Sequence, residues 1–313
     1  MKIVRDYQFI HDADKGASVA IGNFDGVHLG HQKVLEVAEQ AAERLGCPFG
    51  AMTFEPHPRA VFAPDAPDFR LMNAEAKAHR LEKLGVEFLY ELNFNKSLAG
   101  LTHIEFARDV IAGGLGLKHV VVGQDFRFGK GRIGDSADLV TLGKDFGFAV
   151  TISPLLQTGS REVSSTEIRL ALSEGRPRDA AEMLGHWHRM EGCVIRGDQR
   201  GRELGYPTAN IHIDGLHQPK FGIYAVKVDV LDGPNTGSYD GVASLGVRPM
   251  FGENIPNLET FFFDFEGDLY GSEISVALVD YLRPEHVFDG LDELIAQMDK
   301  DSATARTILA DFK

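Results

Sequence analysis

The chain has 313 residues, 43% of them hydrophobic and 25% charged, with a formal net charge of −14 and a pI near 5.3. That length suits two domains of roughly 100–200 residues each. The acidic balance argues against broad binding to nucleic-acid backbone, which needs clustered Lys and Arg, but leaves room for a small anion in a locally basic pocket.

The first apolar run, Val19-Ala20-Ile21, reads as a strand, and His31 to Leu45 as a helix with Val34, Ala38, Ala41 and Leu45 on one face. FGAMTF (49–54) is a strand, AEAKAHRLEKL (74–84) a helix and EFLYELNF (87–94) a strand. A helix near 103–112, the strand HVVVG (119–123), the helix SADLVTLGKDFG, the strand FAVTIS and the helix STEIRLALSEG follow. This alternation predicts βαβ units and a parallel sheet covered on both faces. Glu174-Gly175-Arg176-Pro177 punctuates a boundary region, and a short helix from Asp179 to Leu184 leads across it.

From about His186 the rhythm changes. MEGCVIRG, PTANIHI, YAVKVDVL, GVASLGV, LETFFFDF and EISVALVDYL are strands separated by Gly, Pro, Asn and Asp, which predicts an antiparallel barrel or sandwich. Helix returns from about Asp289 to Phe312, and lone Trp187 is expected between domains or against the barrel. No internal repeat or low-complexity segment breaks the chain.

Cys47 and Cys193 stand far apart without CxxC spacing, so neither a disulfide framework nor a cysteine zinc site is expected. The start, MKIVRDYQFIHDADKG, turns charged before a signal-peptide core can build up, and no apolar run approaches the roughly 20 residues of a membrane span. A cytoplasmic location is therefore expected, with neither nucleic acid nor membrane as partner.

GNFDGVHLGH (22–31) places three glycines, an aspartate and two histidines where the first strand ends and the helix begins. A helix N-terminus there presents unpaired N–H groups and a positive dipole end, which suits phosphate. Gly22, Gly26 and Gly30 let backbone approach a ligand, and His28 and His31 can donate to the same anion and stabilise charge during transfer. Structural histidines or a metal site with Asp25 are the alternatives, but the HxxH spacing lacks the glutamate of HExxH. The loop Gly129 to Gly134 satisfies GxGxxG, yet Gln124 to Phe128 separate it from its strand, so it is not a dinucleotide fingerprint.

GxFDGxHxGH resembles the signature of nucleotidyltransferases that move an adenylyl group from ATP. With TFEPHP (53–58), VVVGQDFRFGKGRIGD (120–135) and SSTEIR (164–169), the first half is similar to the adenylyltransferase module of the prokaryotic bifunctional riboflavin kinase/FAD synthetases. The resemblance implies a Rossmann-like α/β nucleotidyltransferase domain over residues 1–185. It implies ATP contacts at Gly22, Phe24, Asp25, Gly30, Gly123, Ser164, Ser165, Thr166 and Arg169, and flavin contacts at Phe54, His57, Pro58, Asp125, Phe128 and Arg132.

GRELGYPTAN, GIYAV, LGVRPMF, LETFFFDFEGDLYG and DYLRPEHVFDGLDEL are similar to the riboflavin kinase module, an antiparallel barrel with a C-terminal helix over 186–313. Gly197, Arg202 and Gly205 are the implied loop over ATP. Thr208 and Asn210, two apart on a strand and so on one face, match the family's contacts to Mg²⁺ and phosphate. Glu259 matches the catalytic base, and Arg283 a group near the flavin or its phosphate. Met250 stands where many members carry threonine, and Phe261 where histidine is common, which leaves the flavin pocket's detail open.

The implied chemistry is phosphorylation of riboflavin to FMN, then adenylylation of FMN to FAD, with ATP and Mg²⁺ in both steps and no tightly bound prosthetic group. An adenylyltransferase for another phosphorylated acceptor, or a flavin-binding regulator with decayed sites, are the competing readings. The PTAN segment with Glu259 weighs against the first, and intact His28, His31, Thr208, Asn210 and Glu259 weigh against the second.

Overall fold

The structure, a computed structural model, describes residues 1–154, 157–158, 161–196, 205–250 and 253–312, with backbone only at 157–158, 161–162, 248–250 and 253–255. Its chain falls into two compact units, Met1–Pro67 with Lys77–Val163, and Asp68–Ala76 with Ser164–Lys313.

The first unit is built on a six-stranded, wholly parallel sheet. Its strands are β1 (Lys2–Val4), β2 (Ser18–Ile21), β3 (Phe49–Glu55), β4 (Phe88–Asn93), β5 (His119–Gly123) and β6 (Ala149–Ser153), in the order β1-β4-β3-β2-β5-β6. All four residues of β2 are buried, as a strand covered on both faces requires. The helices are α1 (Leu29–Leu45), α2 (Pro58–Phe62), α3 (Ala74–Lys83), α4 (Phe106–Gly114) and α5 (Ser136–Phe146).

Three features differ from the sequence-based expectation. The charged start contributes the edge strand β1, whose residues Lys2 and Ile3 are exposed, so no apolar run marks it. The proline-rich stretch after β3 continues as α2, with Pro58 in the first turn, where its missing N–H costs nothing. The helix expected over 103–112 extends to Gly114 with a widened, π-type turn, closed by Leu115 N donating to Val110 O at 2.8 Å.

The strand order reverses at β2. Chain segments β2 to β4 step one way across the sheet, and β5 and β6 lie on β2's other side. Ligands of open α/β sheets bind at such a switch point, outside the carboxyl ends of the strands. Gly22 and Gly123 stand at those two ends.

The second unit opens with α6 (Ser165–Ser173) and α7 (Pro177–Leu184). Six antiparallel strands follow: β7 (His188–Cys193), β8 (Thr208–His212), β9 (Gly222–Val230), β10 (Gly237–Met250), β11 (Glu253–Phe262) and β12 (Glu273–Arg283). They pair in the order β7-β12-β9-β10-β11-β8. Ile195, just past β7, bridges Asn210 of β8 through an N–H···O bond of 2.9 Å, which brings the sheet's two edges together as a barrel. Apolar side chains from the strands fill the interior: Ile211, Val226, Val228, Leu245, Leu258, Val276 and Leu278 are all fully buried.

The terminal helix α8 (Leu291–Ala310) lies against the barrel wall, where Ala305 and Leu309 join Ala225, Phe263 and Val279. Trp187 packs in this cluster, edge-on to Phe312 with ring centres 5.2 Å apart, so of its two expected places it takes the barrel.

Two candidate functional sites

In the first unit, the turn from β2 into α1 holds two uncommon backbone conformations. Phe24 (φ +50°) and Val27 (φ +43°) are left-handed although neither is glycine, and both are buried. Such residues cost on the order of 1–3 kcal/mol each and persist only where the surroundings over-determine them. Three bonds do so here: Val27 N–H to Phe24 O (3.1 Å), Gln32 Nε2 to Val27 O (2.9 Å) and the Thr53 hydroxyl to Asn23 O (3.1 Å).

His28 is the N-cap of α1, its Nδ1 accepting from His31 N–H at 3.3 Å. An accepting Nδ1 puts the proton of the neutral ring on Nε2. The two imidazoles stack with centres 3.7 Å apart, and Phe24 meets His31 edge-on at 5.3 Å. Burial, then the charges of His28 and Lys77, hold His31 well below the usual histidine range, so the ring is neutral near pH 7. Its Nδ1 is shut from solvent and has no hydrogen-bond partner. Asp25 is buried beside this pair in sequence, and a side chain at Gly30 would press against the His28 ring at 3.1 Å. The turn therefore combines helix-end amides, two stacked imidazoles and close backbone access.

The other residues implied for this site have varied settings. Gly123 ends β5, and a side chain there would come within 2.9 Å of the Asp125 carboxylate, itself exposed. Phe54 packs edge-on to Phe94 at 5.7 Å. His57 caps α2, its Nδ1 accepting from Arg59 N–H at 3.1 Å ahead of Pro58. Phe128 is a core residue, 6% exposed and stacked on Phe126 at 5.5 Å, so its ring faces are taken up by packing while half-buried Phe126 is more accessible. Arg132 is exposed at a left-handed position. Ser164 caps α6 by accepting from Glu167 N–H at 3.3 Å, with Ser165 and Thr166 in the first turn, and all three stand in the second unit. Arg169 there donates to Phe69 O at 3.3 Å.

Lys77 lies outside every motif that marks this site in the sequence. It is 2% exposed on α3, and its ammonium donates to Glu55 Oε1 at 2.6 Å and Thr53 Oγ1 at 3.1 Å. The available signal was its place four residues before the fully buried Leu81, a lysine on the apolar face of a helix.

The second unit contains a cavity of about 720 Å³ that gathers Thr208, Asn210, Glu259 and Arg283. Strand pairing explains the meeting: on β11, Glu259 sits opposite Asn210 of β8 and Ser244 of β10. Asn210 Nδ2 lies 3.5 Å from Thr208 Oγ1, as two side chains on one strand face must, and Asn210 Oδ1 accepts from Asn257 Nδ2 at 3.0 Å. Gly205, exposed and left-handed, precedes this strand; Gly197 and Arg202 lie outside the described residues.

Arg283, at the end of β12, is gripped by Asp301 of α8: Nε lies 3.0 Å and Nη2 2.7 Å from Oδ2. Gln297 also donates to Asp301, at 2.8 Å. Asp301 is 6% exposed and lines the same cavity. A buried carboxylate that fixes a guanidinium fork in this way sets its plane. Phe261, at the position where histidine was expected, lines the cavity with Tyr206, their ring centres 4.7 Å apart. Tyr206 in turn donates to Asp299 of α8. Asn257, two residues from Glu259 on the same strand, follows from strand alternation, and Tyr206 lies within the quoted GRELGYPTAN; Asp301 and Asp299 carried no local signal.

Both halves have known counterparts. The family model for FAD synthetase matches residues 10–167, and that for riboflavin kinase matches residues 184–309. The chain is 37% identical to the bifunctional riboflavin kinase/FMN adenylyltransferase of Escherichia coli (strain K12), over 98% of this chain and 97% of that protein. It is 36% identical to the Bacillus subtilis (strain 168) protein of the same name, over 97% and 96%. A crystal structure titled as a macrolide-efflux protein from Streptococcus pneumoniae superposes with a TM-score of 0.83 at 32% identity, covering 97% of this chain and 98% of that one. Among the described residues no helix is long and apolar enough to cross a membrane.

Proposed function

This chain belongs to the bifunctional riboflavin kinase/FMN adenylyltransferase family, and from that membership we infer how its residues divide two consecutive reactions. The enzyme phosphorylates riboflavin to FMN with ATP and then joins the AMP part of a second ATP to FMN, giving FAD and pyrophosphate. We assign the adenylyl transfer to residues 1–185 and the kinase to 186–313, with flavins as substrates and products.

In the kinase, Glu259 accepts the proton of the ribityl 5′-hydroxyl as that oxygen attacks the γ-phosphorus and the bond to ADP breaks. The chemistry needs a carboxylate within hydrogen-bond reach of the hydroxyl. Mg²⁺ arriving with ATP suits the hard oxygens of Thr208 and Asn210; Asn210 Oδ1 keeps a lone pair beyond its bond to Asn257. That cation would supply charge neutralisation at the phosphates. Arg283, pre-aimed by Asp301, bounds the flavin end.

In the adenylyl transfer, a phosphate oxygen of FMN attacks the α-phosphorus and pyrophosphate departs, with no covalent enzyme intermediate. His28, His31 and the amides opening α1 hold and stabilise the charged groups, so rate comes from positioning and electrostatics. The observation that carries the reading is the cavity that gathers Thr208, Asn210, Glu259 and Arg283. The test is incubation with riboflavin, ATP and Mg²⁺ followed by separation of products. FMN and ADP, then FAD and pyrophosphate, are expected; adenylylation of some other phosphorylated acceptor without flavin products would overturn it.

A further inference from the structure

Lys77 is a buried cation with a defined route to the histidine turn. Burying an ammonium costs several kcal/mol unless it is paired and hydrogen-bonded. Here the partners are Glu55 at 2.6 Å and Thr53 at 3.1 Å, neighbours on one face at the carboxyl end of β3. Thr53 has one hydroxyl hydrogen, and it goes to the carbonyl of Asn23 at 3.1 Å. The direction of this chain is forced, because an ammonium only donates and a carbonyl only accepts. It ends on the residue before Phe24, whose left-handed conformation opens the turn. The bond to Thr53 joins the same helix and strand as the bond to Glu55, and it is Thr53's own hydroxyl that carries the link into the turn. Its charge also reaches His31, adding to burial and His28 in keeping that ring neutral.

We propose that Lys77 is a positioning residue of the adenylyl-transfer site: through Thr53 it fixes the Asn23–Phe24 turn, and it supplies a constant positive charge to a turn that must hold polyphosphate. The proposal rests on the adenylyltransferase reading of that turn. Acting through Thr53 and through its charge, without touching the ligand, Lys77 holds the turn in which the transfer occurs, so its loss should fall on kcat rather than KM.

The experiment measures FAD formation from supplied FMN and FMN formation from riboflavin on the same full-length protein. Lys77→Met alone takes the ammonium from the half-buried Glu55 and risks misfolding, so the informative variant is Lys77→Met with Glu55→Gln, which removes the pair as a whole. We expect kcat for FAD formation to fall at least about tenfold in that double variant, the scale of one charge-assisted bond. KM and FMN formation should be unchanged, Lys77→Arg should recover most of the rate, and Thr53→Val should fall between. A double variant with wild-type FAD kcat, or one in which both activities fall in step, overturns the proposal. His28→Ala separates the two levels. If it abolishes FAD formation while the Lys77/Glu55 double variant stays fully active, Lys77 has no such role and the turn's assignment stands. If His28→Ala itself keeps full FAD formation, the assignment of the turn falls, and the role of Lys77 with it.

Discussion

In the first unit the two histidines and the glycines around them sit within ten consecutive residues of one strand–helix junction, whereas in the second the cavity groups come from strands β8, β10, β11 and β12 and from the terminal helix. The polar character differs as much. The histidine turn pairs stacked imidazoles, that of His31 held neutral, with helix-end amides, and a buried cation that reaches it is Lys77. The barrel cavity is lined by carboxylates, Glu259, Glu266, Asp268, Glu285 and Asp301, with Arg283 held by one of them. A site made by a single turn is held by local bonds and backbone strain. One assembled from a closed sheet depends on strand register and on a distant helix. The two should therefore fail independently and for different reasons.

The largest effects separate the units outright. His28→Ala with His31→Ala should lower FAD formation by about 10²–10³-fold or more, the scale of losing charge-stabilising donors, while FMN formation persists. Glu259→Ala should do the reverse, lowering FMN formation by about 10²–10⁴-fold and sparing adenylylation of supplied FMN. Product analysis checks both, and parallel loss of both activities in either variant would break the comparison. A smaller effect is expected for Asp301→Asn, which loosens the grip on Arg283. KM for riboflavin should rise by about tenfold, as losing a charge-assisted bond allows, with FAD formation untouched. Asn257→Leu removes the donor to Asn210 Oδ1 and should raise KM for MgATP in the kinase step only, by a few-fold.

A pH test sharpens the comparison without touching activity. Burial, then His217 and His186, push His188 in the barrel down to about 3. Its folded value lies below its ordinary one, so the unfolded chain takes up the extra proton. The stabilising contribution is present above about pH 6.5 and is lost as pH falls toward 3, at up to about 1.4 kcal/mol per pH unit. His188→Phe should flatten that part of the stability curve for the second unit, read as the difference from wild type in denaturant titrations; an unchanged difference would refute it.

Much of the fold was legible because apolar periodicity is a local signal. β2, β3, α1, β5 and most barrel strands fall where their runs predict them. The edge strand β1 escaped because a strand paired on one side and exposed on the other carries no continuous apolar run. Asn257 could have been found by counting two residues back from Glu259, and Lys77 by asking why a lysine sits on an apolar helix face. Phe128 shows the opposite limit: family resemblance implied a flavin contact, and packing sets the ring in the core.

Sequence alone carried two modules of different strand rhythm and a turn at 22–31 suited to phosphate, and resemblance to a family grouped Thr208, Asn210 and Glu259. Each rests on interactions between near neighbours or on side-chain chemistry, which are written in the order of residues. Tertiary structure alone decided that β11 would set Glu259 opposite Asn210, that Asp301 would aim Arg283 from 18 positions away, and that Lys77 would reach Asn23 through Thr53. Those contacts arise from register, helix docking and the desolvation of charge, and these quantities exist only once distant parts of the chain share a dry interior.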